Sequence, residues 1–339
     1  MVLGDAFLSG VLAGPMNGIA DLPGVRVGHY DRDDDGFLTG TTVVLFDEPT
    51  RAGVSVGGGG PGTRETDALA PTTLVEYIHG ITLSGGSAYG LSAADGVMEY
   101  LEMQGVGHLV GTEPRHVVPI VPTAIIFDLG RGGNFGARPD PSFGRNAAER
   151  AIPDQMRWGS VGVGRGARCH GRPSGIGTAS FRLPDGSTIA AVVVCNALGD
   201  IRSPSGELYA AEDEVDNEFA RYLHALPDIE FSEEIASPLN TTLAIIATDV
   251  PLSRAECTTM ARIAHDGLAR AIRPVHTYFD GDVVFATSTT TDELPSPAAQ
   301  EDIAARRVAL AGLMELGARA VARATVHAVG KAQQGSGTA

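Results

Sequence analysis

Pro184-Asp185-Gly186, set between two apolar runs, restricts the folding of this chain more than any other feature. An Asp-Gly pair between runs at 175–183 and 187–196 predicts a β-hairpin, because the turn needs residues that tolerate positive φ. Antiparallel neighbours joined so tightly argue against a simple doubly wound parallel sheet. Helices still alternate with strands further on. Residues 241–248 read as a strand, and Ser253-Arg254-Ala255-Glu256 is a capping box that opens a helix. That helix runs to about Arg273, where Pro274 stops it. Residues 283–288 read as another strand. Ser296-Pro297, with proline at the first helical position, opens a long helix to about Val329.

The N-terminal half is less regular. Alternation predicts strands at 24–30, 41–46 and 51–56, the last two separated by a turn at Asp47-Glu48-Pro49. Helical spacing marks 72–79 and 86–104; in the second, Leu91, Ala94, Met98 and Leu101 share a face. Residues 119–129 read as a buried strand, 146–152 as a short helix, 212–226 as an amphipathic helix and 227–239 as an acidic exposed loop. The acidic run Asp31 to Asp35 reads as a solvated turn, with a surface Ca²⁺ loop as the alternative. The length allows one or two domains and no internal repeat is evident; residues 1–330 are expected to form a single one, with 331–339 a disordered tail.

Composition excludes several classes. The net charge is −16 and no basic patch is visible, which argues against nucleic-acid binding. No apolar run is long enough to span a bilayer, and the N-terminus has no basic leader, so neither a membrane nor a signal peptide is expected. Cys169, Cys195 and Cys257 are scattered, with neither disulfide nor metal spacing, and point to a reduced, cytoplasmic chain. Gly162-Val163-Gly164-Arg165-Gly166 lacks the full dinucleotide spacing, and no P-loop is present. No cofactor and no metal are expected.

The residues that can carry chemistry centre on Asn240-Thr241. A hydroxyl residue opens an apolar strand directly after a polar, proline-containing loop. Its own hydroxyl can cut the preceding peptide bond, and the freed α-amine can then serve as base for the same hydroxyl. An ordinary strand threonine is the competing reading. Asp280 and Asp282 share one face of an extended segment and can orient that nucleophile; a solvated turn about Gly281 is the alternative. Asn196 ends an apolar strand and can donate an amide hydrogen to an oxyanion, or simply close the strand end. Glycines 57–60, Gly85 and Gly86 can offer backbone N–H donors, or serve only as tight turns. His265 lies within the capped helix and no Gly-x-Ser-x-Gly elbow is present, so no Ser/His/Asp triad is expected. His276 is expected to be structural, bonding near the carboxylates.

Taken in order, Gly59-Gly60-Pro61-Gly62-Thr63-Arg64-Glu65-Thr66-Asp67, Leu83-Ser84-Gly85-Gly86-Ser87-Ala88-Tyr89-Gly90-Leu91, Gly175-Ile176-Gly177-Thr178-Ala179-Ser180, Asn240-Thr241-Thr242 and Asp280-Gly281-Asp282 resemble the DmpA/BapA-type self-cleaving peptidases. That family includes L-aminopeptidase/D-esterase enzymes, β-peptidyl aminopeptidases and the nylon-oligomer hydrolase. The resemblance implies an α+β fold, a four-layer αββα sandwich of the type shared with ornithine acetyltransferases. It implies autoproteolysis between Asn240 and Thr241 into residues 1–240 and 241–339, which stay together in a homo-oligomer, often a tetramer. Thr241 matches the nucleophile, Asn196 the oxyanion amide, and Asp280 and Asp282 the polar partners behind the nucleophile. The nylon-hydrolase branch carries a lysine where this chain has Pro173, so Arg165, Arg168 or Arg172 is a candidate for its charge. The same branch has a tyrosine where this chain has Phe127, and the adjacent Asp128 can pair with a substrate ammonium. Gly85, Gly86, Phe127 and Asp128 are thus the candidate substrate-binding residues.

The expected activity is hydrolysis of short peptides, amino-acid amides or ω-amino-acid oligomers by an N-terminal threonine. Acyl transfer of the ornithine-acetyltransferase kind is the alternative enzyme class, and a non-catalytic binding scaffold the third reading.

Overall fold

The structure, a computed structural model, describes residues 9–153, 157–210, 240–290 and 300–332. The predicted helix at 212–226, the loop at 227–239, the helix start at 296–297 and residues 333–339 of the expected tail lie outside the described residues, while residues 331 and 332 of that tail are helical.

The principal strands are β1 (Val25–Arg32), β2 (Thr39–Val56), β3 (Ile78–Ser84), β4 (Thr123–Ile125), β5 (Ile176–Arg182), β6 (Thr188–Asn196), β7 (Thr241–Thr248) and β8 (Val283–Ser288). The helices are α1 (Ala93–Met103), α2 (Pro141–Glu149), α3 (Arg254–Ala271) and α4 (Gln300–Ala332). Two sheets are joined through β2. Its first half pairs with β1 and β3. Its second half, from Arg51, pairs with β8. β5, β6 and β7 continue antiparallel from there, and β7 lies parallel to β8.

Side chains alternate across each strand, and the alternation builds the layers. Ala190, Val192 and Val194 of β6 and Leu243 and Ile245 of β7 meet Val25, Val27, Val44, Ile81 and Leu83 between the two sheets. Their neighbours Ala191, Val193, Ala244 and Ile246 face outward under α3 and α4, against Met260, Leu268 and Val321. On the far side, Val43 and Leu45 face Val97 and Leu101 of α1 and Ala147 and Ala148 of α2. The chain is therefore a four-layer αββα sandwich. No helix among the described residues is long and apolar enough to cross a membrane.

The hairpin forms as expected, with Gly186 at φ +90°. So does the capping box: the Ser253 hydroxyl accepts from Glu256 N at 3.2 Å, and Glu256 accepts from Ser253 N at 2.8 Å. Other expectations are corrected. Residues 72–79 are not a helix. They form turns leading into β3, and the Arg254 guanidinium takes up the carbonyls of Ala70, Pro71, Thr73 and Val75 at 2.6–3.1 Å. The strands expected at 41–46 and 51–56 are one strand. Asp47-Glu48-Pro49 forms a register shift between Leu45 and Thr50, where proline's missing donor is tolerated. Of 119–129, only β4 is regular, because Pro119 and Pro122 break the run. The predicted helix at 146–152 begins earlier, capped by Asp140, and ends at Glu149. Asp31 is not simply solvated: it accepts from Gly162 N at 2.7 Å and pairs with Arg165.

Candidate active site

β6 ends at Asn196 and β7 begins at Thr241, and the antiparallel register sets these two residues opposite each other. Both fall on the alternation of Val194 and Leu243, so their side chains lie on the inter-sheet face. Thr241 is only 2% exposed. Its Oγ1 donates to the carbonyl oxygen of Asn240 at 2.6 Å. The same oxygen accepts from Gly281 N at 3.0 Å, and Asn240 N donates to Phe279 O at 3.2 Å. The peptide bond before Thr241 is thus clamped by the 277–282 loop, with a hydroxyl against its carbonyl and an N–H on its oxygen. Such an arrangement can polarise the carbonyl toward attack.

The oxygen of the Asn196 amide accepts from Arg131 Nη1 at 2.6 Å and from Arg168 N at 3.1 Å. Two donors on one oxygen settle which end of the amide is which. Its nitrogen therefore points away, reaching the Phe127 carbonyl only at 3.4 Å. That long contact leaves a donor able to serve another oxygen.

Asp282 accepts from Thr242 N at 2.6 Å and from the His276 ring at 2.6 Å. Asp280 accepts from Thr277 N at 2.9 Å and Thr277 Oγ1 at 2.5 Å. Burial, with some help from the Asp282 charge, holds the Asp280 carboxyl above the usual carboxylate range. Neither carboxylate bonds to the Thr241 hydroxyl; Asp282 reaches β7 through the backbone N–H of Thr242. His276, read from sequence as structural, sits in contact with both Asp282 and His265.

Glycines 57–60 pack against the segment 276–280. The N–H groups of Gly57, Gly59 and Gly60 go to the carbonyls of Asp282, Thr277 and Asp280. These three N–H groups hold the 277–282 loop and are not free to serve as oxyanion donors. A Cβ on Gly59 would lie 2.2 Å from the Tyr278 carbonyl, so the approach needs glycine. Gly85 N goes to Gly40 O at 2.9 Å, and Gly86, at φ +83°, gives its N–H to Asp128 Oδ1 at 2.7 Å. Asp128 is buried, and burial pushes its carboxyl up to about 6, against the opposing pull of Thr39, Gly86 and Arg131. The Phe127 carbonyl meets Asn196, and Asp128, the next residue, is tied to Gly86.

The sequence offers Arg165, Arg168 and Arg172 as candidates for a positive charge at the site. Arg165 is spent on Asp31, and Arg172 on Asp200 at 2.9 Å. Arg168 contributes its backbone N–H, and its side chain is exposed. The charge at the site belongs to Arg131. Burial lowers its pKa to about 10, with Asp128 opposing the shift and Arg168 adding to it. No local pattern marks Arg131, because its partners Gly166 and Asn196 lie 35 and 65 residues away. Among the described residues, no group of three His, Cys, Asp or Glu could hold a metal ion.

Comparison with known proteins fits this geometry. The profile of peptidase family S58 matches residues 17–339. An uncharacterized aminopeptidase of Mycobacterium leprae is 43% identical over 96% of this chain and 94% of its own length. The 6-aminohexanoate-oligomer endohydrolase of Paenarthrobacter ureafaciens is 30% identical over 81% of this chain and 76% of its own. Among solved structures, a beta-aminopeptidase of Burkholderia sp. superposes with a TM-score of 0.67 at 24% identity, covering 94% of this chain and 87% of that one.

Proposed function

We propose that this chain, which belongs to peptidase family S58 and is a peptide or amide hydrolase, activates itself by cutting the Asn240–Thr241 bond. The observation that carries the reading is the Thr241 hydroxyl held 2.6 Å from the Asn240 carbonyl oxygen, on a peptide clamped by Gly281 N. Oγ1 adds to the Asn240 carbonyl carbon. The C–N bond breaks, and the nitrogen keeps the proton that the hydroxyl gave up. Water then hydrolyses the resulting ester, leaving a carboxylate on Asn240 and a free α-amine beside the Thr241 hydroxyl.

The matured site repeats the chemistry on a substrate. The α-amine takes the hydroxyl proton as Oγ1 attacks the amide carbonyl, and the Asn196 amide nitrogen bonds the oxyanion. The proton passes to the departing amine, and water releases the acyl group. Short peptides, amino-acid amides and ω-amino-acid oligomers are the substrate class. Asp128 is the partner for a substrate ammonium, which favours substrates with a free amino end. The relatives named as an aminopeptidase and an oligomer endohydrolase support this class. In this reading the two fragments remain together in a cytoplasmic homotetramer.

A Thr241→Ala variant tests the proposal. It should run as one band on a denaturing gel and hydrolyse no member of an amide panel, while the wild type runs as two bands and turns over. An uncleaved wild type that is fully active would overturn the reading. Transfer of the acyl group to an added amine in preference to water would reassign the chain to acyl transfer.

A further inference from the structure

Building on that reading, we propose that His276 and His265 are positioning residues that fix Asp282 and, through it, align the first residues of β7. The bonds form one chain. His265 Nε2 lies 3.2 Å from the Ser55 carbonyl, His265 Nδ1 lies 3.2 Å from His276 Nε2, and His276 Nδ1 lies 2.6 Å from Asp282 Oδ2. Asp282 Oδ1 then accepts from Thr242 N at 2.6 Å.

The far end dictates where the protons sit. A carbonyl only accepts, so His265 Nε2 carries hydrogen. In a neutral His265 the other nitrogen, Nδ1, is then an acceptor, and His276 Nε2 must donate to it. His276 Nδ1 faces a carboxylate oxygen, where a bare nitrogen would oppose two lone pairs. It too must carry hydrogen. His276 is an imidazolium held between Asp282 and a neutral His265.

The electrostatics agree with this assignment. Burial works against the charge of His276, but the Asp282 bond and charge outweigh it and raise its pKa. Burial lowers the pKa of His265, and the neighbouring His276 lowers it further. The charged groups facing the pair are Asp280 and Asp282 from the loop of His276 and Asp266 from α3, the helix of His265. β2 contributes the uncharged Ser55 carbonyl, and just past its end Gly57 approaches, where a Cβ would lie 3.1 Å from the His265 ring and 3.4 Å from that of His276. His276 also adopts φ +53°, a strained conformation for a residue with a side chain, held by its own N–H bond to Asp282 at 3.2 Å.

The folded pKa of His276 is raised, so the alignment is present at low pH and is lost as pH rises through that pKa. Two substitutions at His265 separate positioning from packing. Glutamine can accept from His276 Nε2 and donate to Ser55 as the neutral ring does; leucine can do neither. The His276 ring is titrated by NMR in the uncleaved Thr241→Ala chain, and kcat and KM are followed against pH in the otherwise native enzyme. His276 should titrate above 6.5 in the Thr241→Ala chain, stay there with His265→Gln and fall with His265→Leu. His265→Leu should lower kcat about tenfold, the loss of one charge-assisted hydrogen bond, with KM unchanged. Its basic limb should move to lower pH, and His265→Gln should restore both. A His276 that titrates at or below 6.5, or identical kcat–pH profiles for the two variants, would overturn the proposal. Should the native chain never cleave, that failure would belong to the self-cleaving reading, and the NMR titration would still decide the proton assignment.

Discussion

Replacing Asp128 with asparagine should make the protein more stable at neutral pH while weakening its use of amino-terminal substrates. The carboxyl is fully buried and its pKa rises from 3.8 to about 6. In the folded chain this group therefore binds a proton more tightly than in the unfolded chain. Its stabilising contribution is complete below the unfolded value and is lost as pH rises through the folded one. Each pKa unit is worth about 1.36 kcal/mol, so ionised Asp128 costs about 3 kcal/mol at pH 7, of which roughly 2.5 kcal/mol appears between pH 4 and pH 7. Asparagine keeps the oxygen that accepts from Gly86 N and does not ionise. Urea unfolding would be measured at both pH values in the single-chain Thr241→Ala background, so that fragment dissociation does not intrude. The stability of Asp128→Asn relative to its parent should rise by about 2–3 kcal/mol from pH 4 to pH 7. In the cleaving enzyme the same substitution should raise KM for a free-amine substrate and leave an N-acylated one unaffected. A stability difference that stays flat with pH would refute the burial argument.

Other consequences follow from single contacts. Arg131→Met removes a donor from the Asn196 oxygen and frees the amide to turn, so kcat should fall about tenfold with a small change in KM, measured by steady-state kinetics. Gly59→Ala forces a Cβ against the Tyr278 carbonyl and should displace the loop that clamps Asn240, giving an uncleaved chain on a denaturing gel. Ser253→Ala deletes the N-cap of α3 and should cost about 1 kcal/mol in urea unfolding without changing the cleavage pattern.

Where local chemistry decides the structure, the sequence was readable. The Asp185-Gly186 hairpin and the Ser253–Glu256 capping box each depend on residues within a few positions of one another. Where distant partners decide, it was not. Residues 72–79 carry helical spacing, yet the guanidinium of Arg254, some 180 residues away, satisfies the loop carbonyls instead. Pro49 looked like the end of a strand, but a strand that changes sheets can absorb it at a bulge. The site divides in the same way. The Asn240-Thr241 start of β7 and the Asp280/Asp282 pair are visible as local patterns. The register that sets Asn196 opposite Thr241 appears only in the sheet. Arg131 escaped notice because an isolated arginine in a glycine-rich loop gives no sign of the amide it holds, and the arginines nearer the family motif are held in ion pairs with Asp31 and Asp200. His265 looked like an ordinary helix residue until the fold brought it against His276.

The intact mass of the purified wild-type polypeptide, taken under denaturing conditions, tests the central claim most directly. Two species whose masses sum to the full chain plus one water, one of them beginning at Thr241, are the predicted result. A single full-length mass from a preparation that turns over amides at full rate would contradict it.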